Sequence, residues 1–437
     1  MEVKDKTKVV LQVTPERALT DEQVAIQLTG SEPGSIITII ATTTDDTGQK
    51  FESQATFEAD ELGEVDLVKQ KPIEGTYAEA DAMGLFWSME PVQRVNTGFT
   101  KHSAVPQTVY LTAYEERKAL AHAKVERCFY LDDVTSIEVD VRELVGQLYL
   151  PKTKTNCPGV IIVGGSDAAV HEQAAALLAS NGYAALALAY YAAEGLPKGI
   201  QRIPLEYVET ALQWLGEQDQ VNKEKLGIVG FSRGSELALL AGTVFPQLKA
   251  IIAVAPSALM FSGNKNLQMI NEPAWTYKGV ELPYFLPKSS PREFFRFLGN
   301  WLTAKPISNL SGAYAALNDK EKVNQTIIPV EKIQGKMMFI CGEDDQLQPA
   351  IHFSKMLTDR LREHGDQREP CFVSYKDAGH FSAFPAALPY LPTTRSITNR
   401  GKMTMTFGGT AKGSAKAAEH SFREVLLFLK KTFESES

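Results

Sequence analysis

Up to residue 133, apolar and polar positions of the chain alternate with a period of two. Two runs show the pattern clearly: Val24, Ile26 and Leu28 in one, and Phe51, Ala55 and Phe57 in the other. Residues 35–43 and 107–114 are rich in β-branched and aromatic side chains, and turn sequences such as Glu-Pro-Gly separate the runs. Short alternating strands with almost no helical periodicity are typical of a sandwich. We therefore predict an Ig-like antiparallel β-sandwich domain over residues 1–133.

After residue 133 the hydrophobic pattern changes. A predicted hairpin (136–141 and 144–150) precedes continuous apolar runs at 159–163, 184–189, 226–229, 250–254 and 337–340. Helical stretches alternate with these runs, at 172–180, 204–216, 236–243 and 415–433. Strands that are buried on both faces of a helix-covered parallel sheet have this appearance. The pattern predicts a C-terminal α/β domain over residues 134–437.

The alternation of strands and helices is interrupted between residues 256 and 330. Aromatic side chains are frequent there: Trp275, Tyr284, Phe285, Phe294, Phe295 and Trp301. An insertion of this kind is expected either to form a lid or wall over a substrate or to be an ordinary excursion packed on the domain. The pattern favours neither over the other.

Composition and charge narrow the class of protein. The 437 residues include 44% hydrophobic and 22% charged residues, as in an ordinary globular protein, and the net charge is −8. Nucleic acid is therefore not expected as the main partner, because binding phosphate requires a basic face. We find no signal peptide, peroxisomal C-terminus or apolar run of about 18 residues. We expect a cytoplasmic protein without a membrane span.

The four cysteines, Cys128, Cys157, Cys341 and Cys371, are far apart in the sequence and form no CxxC motif. This spacing gives little support to a zinc or redox site. We expect buried free thiols, and Cys341 lies within an apolar run.

Residues 230–234 read Gly-Phe-Ser-Arg-Gly and match the pattern G-x-S-x-G. The motif follows the apolar run 226–229 and precedes a helix that is expected to begin near Arg233. In such a strand–turn–helix unit the serine is strained and its Oγ is exposed, while the glycines keep side chains out of the turn. The context predicts that Ser232 is a nucleophile. A glycine-rich turn with a capping serine is the structural alternative.

A candidate acid follows the apolar run 337–340. Three carboxylates, Glu343, Asp344 and Asp345, lie in the loop after that strand, and Asp345 is our choice for the residue that orients the histidine. Asp344 is the alternative, and an acidic loop that only caps the next helix remains open for Glu343.

The candidate general base is His380, on a glycine-containing loop directly after the predicted strand 371–375. It completes the order serine, acid, histidine that α/β-hydrolases have. For the other six histidines we expect surface or packing roles: His102, His122, His171, His352, His364 and His420.

An oxyanion hole requires two backbone N–H groups. Arg233, directly after the nucleophile, is expected to supply one, and Gly165 or Ser166, in the loop after the strand 159–163, the other. A flexible turn is the alternative for that loop. The phosphate-binding pattern GxGxxG is absent there, so no dinucleotide cofactor is expected.

In several motifs the chain resembles a known family, the acyl-CoA thioesterases grouped with the bile acid-CoA:amino acid N-acyltransferases. The segment Asp81-Ala82-Met83-Gly84-Leu85-Phe86-Trp87-Ser88-Met89-Glu90-Pro91 is similar to that family's G-L-[LF]-W-S-M-x-P signature. Further similarities lie in Ala189-Tyr190-Tyr191, Gly230-x-Ser232-x-Gly234-x-Glu236, Gly342-Glu343-Asp344-Asp345, Gly379-His380 and Phe407-Gly408-Gly409. From composition alone, the first segment is an aromatic turn packed between domains.

The resemblance implies an N-terminal β-sandwich, a C-terminal α/β-hydrolase domain and acyl-CoA thioesters as substrates. Two departures from the family pattern affect the prediction. The N-acyltransferase branch has cysteine at the nucleophile, whereas this chain has Ser232, which favours hydrolysis. The acid loop of animal members continues with His-Asn-Trp, whereas Gln346-Leu347-Gln348 follows here.

The motifs predict a serine hydrolase that acts through an acyl-serine intermediate. The resemblance implies that it belongs to fatty acyl-CoA metabolism and cleaves acyl-CoA thioesters to fatty acid and CoA. CoA enters only as part of the substrate, and neither a separate cofactor nor a metal is expected. Three alternatives are a carboxylesterase acting on small esters, an acyl-CoA:amino acid N-acyltransferase and a non-catalytic binding protein that keeps the fold. The sequence predicts no particular oligomeric state.

Overall fold

The computed structural model describes residues 8–93, 97–287, 291–303, 305–398 and 403–434, without the side chains of residues 292–294 and 316. The strands of the N-terminal region are β1 (Val10–Thr14), β2 (Arg17–Leu19), β3 (Ala25–Thr29), β4 (Ile36–Thr44), β5 (Lys50–Glu58), β6 (Val65–Asp66), β7 (Glu74–Gly75), β8 (Glu90–Pro91), β9 (Gln107–Glu115) and β10 (Lys118–Cys128). They form one sheet in the order β1-β3-β6 and a second in the order β2-β10-β9-β4-β5-β7, with β8 paired to β5.

The two N-terminal sheets enclose a common core. The alternating faces predicted from the sequence, which include Ile26, Leu28, Ala55 and Phe57, are buried in it. The antiparallel sandwich is therefore confirmed. One pairing in it is parallel, that of the short strand β2 with β10.

The C-terminal region is built on a second, larger sheet. Its strands in this part of the chain are β11 (Val134–Val141), β12 (Leu144–Pro151), β13 (Cys157–Val163), β14 (Ala184–Ala189), β16 (Val221–Phe231), β17 (Leu248–Val254), β22 (Lys336–Gly342) and β23 (Cys371–Tyr375). Their order is β11-β12-β14-β13-β16-β17-β22-β23. The predicted hairpin β11–β12 is antiparallel, and β12 is also antiparallel to β14. The remaining strands of the sheet all run parallel to one another, in the order β14, β13, β16, β17, β22 and β23.

Helices cover both faces of this parallel sheet. They are α2 (Glu172–Ser180), α3 (Glu206–Gly216), α4 (Arg233–Val244), α8 (Ala350–Glu363) and α9 (Ala411–Glu434). Buried side chains of α2 and α9 pack on one face, and those of α3, α4 and α8 pack on the other. This is the α/β-hydrolase architecture predicted from the sequence, and it places the carboxyl ends of the parallel strands at one edge, where ligands of such sheets bind.

Some element boundaries differ from the predicted ones. Strand β16 begins at Val221 rather than at residue 226, because its first half carries polar, partly exposed side chains that break the apolar run. Helix α4 begins at Arg233, directly after the nucleophile candidate, as the context of the motif predicted, and so includes the helical stretch 236–243.

The insertion 256–330 has two different parts. Its first part contains β18 (Ser262–Lys265), β19 (Gln268–Pro273), β20 (Trp275–Tyr277) and β21 (Val280–Glu281), and β20 pairs with the short strand β15 (Ile203–Pro204). Trp275 is only 1% exposed there and packs in the hydrolase core. The second part contains α5 (Pro291–Leu302), α6 (Leu310–Ala316) and α7 (Lys320–Thr326). On α5, Phe295 is 68% exposed, and the side chain of Phe294 lies outside the described residues.

The segment around the short helix α1 (Gly84–Trp87) joins the two regions. Helix α1 is buried and contacts both the N-terminal strands and α9. The indole N–H of Trp87 donates to Asp81, and Arg127 stacks over the ring of Phe86. The aromatic turn therefore packs between the two regions, as its composition indicated. None of the helices in the described parts of the chain is long and apolar enough to cross a membrane.

Candidate active site

Ser232 lies in the turn between β16 and α4, at the carboxyl edge of the parallel sheet. Its backbone has φ 53° and ψ −115°, which is a strained conformation for a residue other than glycine. The turn requires glycine on both sides. A Cβ at Gly230 would lie 2.0 Å from the carbonyl oxygen of Gly234, and a Cβ at Gly234 would lie 2.3 Å from that of Gly164. Local packing therefore produces the sharp turn that the pentapeptide predicted.

The structure brings Ser232, His380 and Asp345 together, although they are far apart in the sequence. Ser232 Oγ lies 3.0 Å from His380 Nε2, and His380 Nδ1 lies 2.7 Å from Asp345 Oδ2. Since a carboxylate only accepts hydrogen bonds, Nδ1 carries the proton and Nε2 accepts from the serine hydroxyl. His380 is 2% exposed and Asp345 is 4% exposed. The arrangement is that of a nucleophile, a general base and a residue that orients the base.

The acid loop distinguishes the three candidate carboxylates. While Oδ2 of Asp345 faces the histidine, its Oδ1 accepts from the backbone N–H groups of Leu347 and Gln348, at 2.8 and 3.0 Å. Asp344 instead accepts from Gly409 N–H at 2.8 Å, and Glu343 accepts from Ser374 Oγ at 2.7 Å. Of these three carboxylates, Asp345 is the one that hydrogen-bonds to His380, whereas the hydrogen bond of Asp344 with Gly409 links two loops.

The loop that carries His380 is supported by a second loop from further along the chain. His380 N–H donates to the carbonyl of Phe407 at 2.9 Å. Gly408 and Gly409 both have a φ of 83°, and a Cβ at Gly408 would lie 1.7 Å from the carbonyl oxygen of Asp344. The 407–409 segment therefore braces the acid and histidine loops together, a role that the sequence did not reveal.

The loop after β13 lies beside the nucleophile. A Cβ at Gly165 would be 3.1 Å from Cβ of Ser232, so this glycine permits the close approach. The N–H of Arg233 is the first of helix α4, where backbone donors have no acceptor within the helix. The structure thus places Gly165 beside Ser232 and Arg233 directly after it, while Ser166 is the next residue of the same loop.

A buried ion pair lies directly behind the nucleophile turn. Arg233 Nη1 donates to Glu236 Oε2 at 2.7 Å, and Arg233 Nη2 donates to the carbonyl of Ser262 at 3.0 Å. Glu236 Oε1 accepts from Trp275 Nε1 at 2.6 Å and from the N–H of Phe261 at 3.0 Å. Burial raises the pKa of Glu236 to about 7, and the Arg233 charge and these donors oppose that rise. The network fastens the insertion to the nucleophile helix.

The remaining predicted features lie away from the three central side chains. His171 is buried beside Phe231 and His102, which is a packing role; burial lowers its pKa to about 4. Cys128, Cys157 and Cys341 are buried free thiols, as predicted, while Cys371 is half-buried. Among the residues that the structure describes, no group of three or more His, Cys, Asp and Glu side chains could hold a metal ion.

Fold and site together define the class of protein: this is an α/β-hydrolase with a serine–histidine–aspartate arrangement at the carboxyl edge of its sheet. Residues 203–435 match the family described as BAAT / Acyl-CoA thioester hydrolase C terminal. Residues 21–141 match the family described as Acyl-CoA thioester hydrolase/BAAT N-terminal region. The chain belongs to this family, as the sequence motifs indicated.

Relatives of known name cover almost the whole chain. Acyl-coenzyme A amino acid N-acyltransferase 1 of Mus musculus is 32% identical and aligns over 96% of each chain. The peroxisomal succinyl-coenzyme A thioesterase of Mus musculus is 28% identical over 95% of this chain and 94% of its own. The mitochondrial acyl-coenzyme A thioesterase 2 of Homo sapiens is 28% identical over 95% and 82%. The predicted cytoplasmic location remains a prediction, since these names refer to two other compartments.

Proposed function

We propose that this protein is a serine hydrolase that cleaves acyl-CoA thioesters to free acids and CoA. The observation that carries the proposal is the continuous chain of hydrogen bonds from Ser232 Oγ through His380 to Asp345. Membership of a family that contains thioesterases supports the substrate class. The serine at position 232 supports hydrolysis over transfer.

The chemistry proceeds in two steps at one centre. As Ser232 Oγ attacks the thioester carbonyl, its proton passes to His380 Nε2, and Asp345 stabilises the resulting imidazolium. The oxyanion accepts hydrogen bonds from the Arg233 N–H and from an N–H of the 165–166 loop. The carbon–sulfur bond then breaks, and the CoA sulfur takes the proton from His380. A water molecule, deprotonated by the same histidine, releases the acid and restores the serine.

A second candidate function is transfer of the acyl group to an amino acid. One observation favours it, because two mouse relatives that are each 32% identical are named acyl-coenzyme A amino acid N-acyltransferases. In that reaction an amine, rather than water, would attack the acyl-enzyme. The two functions share the acylation step and differ only in the second nucleophile.

The test is a series of acyl-CoA substrates of increasing chain length, followed by release of free CoA thiol. Each substrate is measured alone and with glycine or taurine, and the acid and conjugate products are quantified by mass spectrometry. We expect free acid as the main product in both conditions, with Ser232→Ala inactive but folded. A p-nitrophenyl ester in parallel tests the carboxylesterase alternative.

The possible outcomes separate the candidates. Conjugates as the main product would establish the transferase instead. Faster turnover of p-nitrophenyl esters than of every thioester would favour the carboxylesterase. Full activity of Ser232→Ala would remove the serine mechanism altogether, and failure of a fluorophosphonate to label wild-type Ser232 would favour a non-catalytic binding protein.

A further inference from the structure

Two buried tyrosines, Tyr190 and Tyr191, follow strand β14 and contact the loop beside the nucleophile. Tyr190 Oη donates to the carbonyl of Gly164 at 3.0 Å. Tyr191 Oη donates to the carbonyl of Gly165 at 2.9 Å and accepts from the N–H of Ala168 at 2.7 Å. Two consecutive carbonyl groups of the candidate oxyanion loop are therefore each held by a tyrosine hydroxyl.

Each tyrosine sets the direction of one candidate oxyanion donor. In a planar trans peptide the N–H points opposite to the C=O. The carbonyl of Gly164 shares its peptide plane with the N–H of Gly165, and the carbonyl of Gly165 shares its plane with the N–H of Ser166. Tyr190 thus orients the Gly165 N–H, and Tyr191 orients the Ser166 N–H.

The packing of the nucleophile helix distinguishes these two donors. The carbonyl oxygen of Gly164 faces α4, since a Cβ at Gly234 would lie 2.3 Å from it. The N–H of Gly165 therefore points away from the start of α4, where the Arg233 N–H lies. Of the two loop amides, the Ser166 N–H is therefore the one that we assign to share an acceptor with the Arg233 N–H.

The tyrosines are suited to hold the loop rigidly. The rings of Tyr190 and Tyr191 lie 5.0 Å apart, and Tyr190 also packs on Trp275 at 6.0 Å between centroids. Burial raises the pKa of both hydroxyls well above the usual value, so they remain protonated donors when the histidine is neutral. A donor that is fixed before the reaction begins is what makes an oxyanion hole effective.

We propose that Tyr190 and Tyr191 are positioning residues of the oxyanion hole, and that Tyr191 fixes the Ser166 amide, which together with the Arg233 amide stabilises the oxyanion. The inference rests on the proposed function, in which Ser232 attacks a carbonyl carbon. Neither tyrosine exchanges protons with the substrate in this scheme.

Three tyrosine-to-phenylalanine variants test the proposal. Tyr191→Phe removes the hydroxyl that holds Gly165, and Tyr190→Phe removes the one that holds Gly164. Tyr207→Phe is the matched control, because Tyr207 Oη also donates to one backbone carbonyl, that of Ala189 at 2.8 Å, and accepts from one backbone N–H, that of Val145 at 3.2 Å. Its hydrogen bonds resemble those of Tyr191 but do not reach the oxyanion loop.

We expect Tyr191→Phe to lower kcat and kcat/KM together by roughly 10-fold to 100-fold with KM unchanged, which is less than the loss of a donor itself. Tyr190→Phe should have a smaller effect, and Tyr207→Phe should leave kcat within about twofold while lowering the melting temperature as much as Tyr191→Phe. The affinity for an alkyl trifluoromethyl ketone, which forms a tetrahedral adduct with serine, should fall in the same ratio as kcat.

A reaction that does not depend on the acyl-CoA substrate separates this inference from the proposed function. The rate at which a fluorophosphonate labels Ser232 should fall in Tyr191→Phe and not in Tyr207→Phe. If wild type is labelled and Tyr191→Phe reacts equally fast, the inference is wrong although the serine mechanism stands. A change in KM alone, or equal losses of kcat in Tyr191→Phe and Tyr207→Phe, would also overturn it. If wild type neither hydrolyses thioesters nor reacts with the fluorophosphonate, the proposed function itself fails.

Discussion

Ser232 is held by a turn of consecutive residues, whereas Asp345 and His380 are held by loops that come together from distant parts of the chain. In the nucleophile turn, the strained backbone of Ser232 and the close packing of Gly230 on Gly234 lie within five residues. On the opposite side, the loops at 342–346, 378–382 and 407–409 support one another. The first arrangement depends on local sequence, and the second depends on tertiary structure.

This difference determines whether a mutation in the nucleophile turn, or in the loops that hold Asp345 and His380, affects mainly activity or also stability. The nucleophile turn is fixed by backbone contacts with the oxyanion loop, so a small change there should alter catalysis. The side with Asp345 and His380 depends on loops that pack on one another, so under the proposed function a change there should affect stability as well as activity. The following predictions test this division, from the largest expected effect to the smallest.

The largest expected effect is a loss of kcat that differs between variants of the two neighbouring aspartates of the acid loop. Asp345→Asn should lower kcat by about 10⁴-fold, because an amide cannot stabilise the imidazolium or fix its tautomer in the same way. Asp344→Asn should lower kcat less than about tenfold, since Asp344 contacts the N–H of Gly409 rather than the histidine. Steady-state release of CoA thiol measures both, and the opposite ranking would assign the acid to Asp344.

The second effect tests the close packing of the nucleophile turn. Gly234→Ala should lower kcat by about 10²–10³-fold, because the added Cβ would displace the carbonyl of Gly164 and with it the oxyanion loop. The control is Gly242→Ala in the same helix, where the Cβ would meet only side-chain atoms, the nearest being Ile251 Cγ1 at 3.1 Å.

Gly242→Ala should keep its activity, since the gain of about 0.5–1 kcal/mol from helix propensity offsets the tighter packing. Circular dichroism confirms that each variant is folded before kcat is compared. Equal activity of the two variants would show that the oxyanion loop adapts to the nucleophile turn.

The contrast between the nucleophile turn and the loops of Asp345 and His380 also explains which features could be predicted from the sequence alone. The strands, the main helices and the nucleophile turn follow from short-range patterns, and Ser232, Asp345 and His380 could be chosen because their order along the chain is constrained. The choice of Asp345 over Asp344 depended on one residue of spacing, and only the folded loop shows why the adjacent carboxylate faces Gly409.

Residues that act through tertiary contacts were harder to predict. Tyr190, Glu236 and Gly408 entered only as parts of a resemblance, without a role. The contact of Tyr190 with the Gly164 carbonyl depends on the pairing of β14 with β13. The contact of Gly408 with Asp344 depends on a return of the chain 63 residues after Asp345. Consecutive tyrosines directly after a buried strand were the one signal available, because such a strand end faces the ligand-binding edge.

The third effect tests whether the acid and histidine side is coupled to stability. Gly408→Ala should lower the free energy of unfolding by about 3 kcal/mol or more, because its Cβ would overlap the carbonyl of Asp344. Gly34→Ala is the control, as Gly34 has a similar φ of 78° with no atom within 4 Å of the added Cβ. The control should cost only the backbone strain of about 1–2 kcal/mol.

Urea unfolding followed by fluorescence gives the free energy of unfolding of Gly408→Ala and of Gly34→Ala. The residual kcat of each variant is measured on the same preparation without urea. Gly408→Ala should also lose activity, since the loop braces both Asp344 and His380. A loss no larger than that of Gly34→Ala would mean that the three loops are not mutually supported.

The smallest effect concerns pH and the buried Glu236 behind the nucleophile turn. Because burial raises its pKa from 4.5 to about 7, the folded protein retains a proton that the unfolded chain releases between these values. The contribution of this group to stability is therefore present below pH 4.5 and is lost as the pH rises to about 7. The loss is at most about 3 kcal/mol at 1.36 kcal/mol per pKa unit.

Glu236→Gln keeps the size of the side chain and removes its titration, so it serves as the reference at each pH. The free energy of unfolding of wild type minus that of Glu236→Gln should fall between pH 5 and pH 7.5 and then become constant. Urea unfolding at five pH values in this range measures the difference, in which other titrating groups cancel. A difference that stays constant over this range would mean that the contacts with Arg233, Trp275 and the N–H of Phe261 outweigh burial and keep the carboxylate ionised. In that case the nucleophile helix would be held by a permanent ion pair, and its attachment to the insertion would not vary with pH.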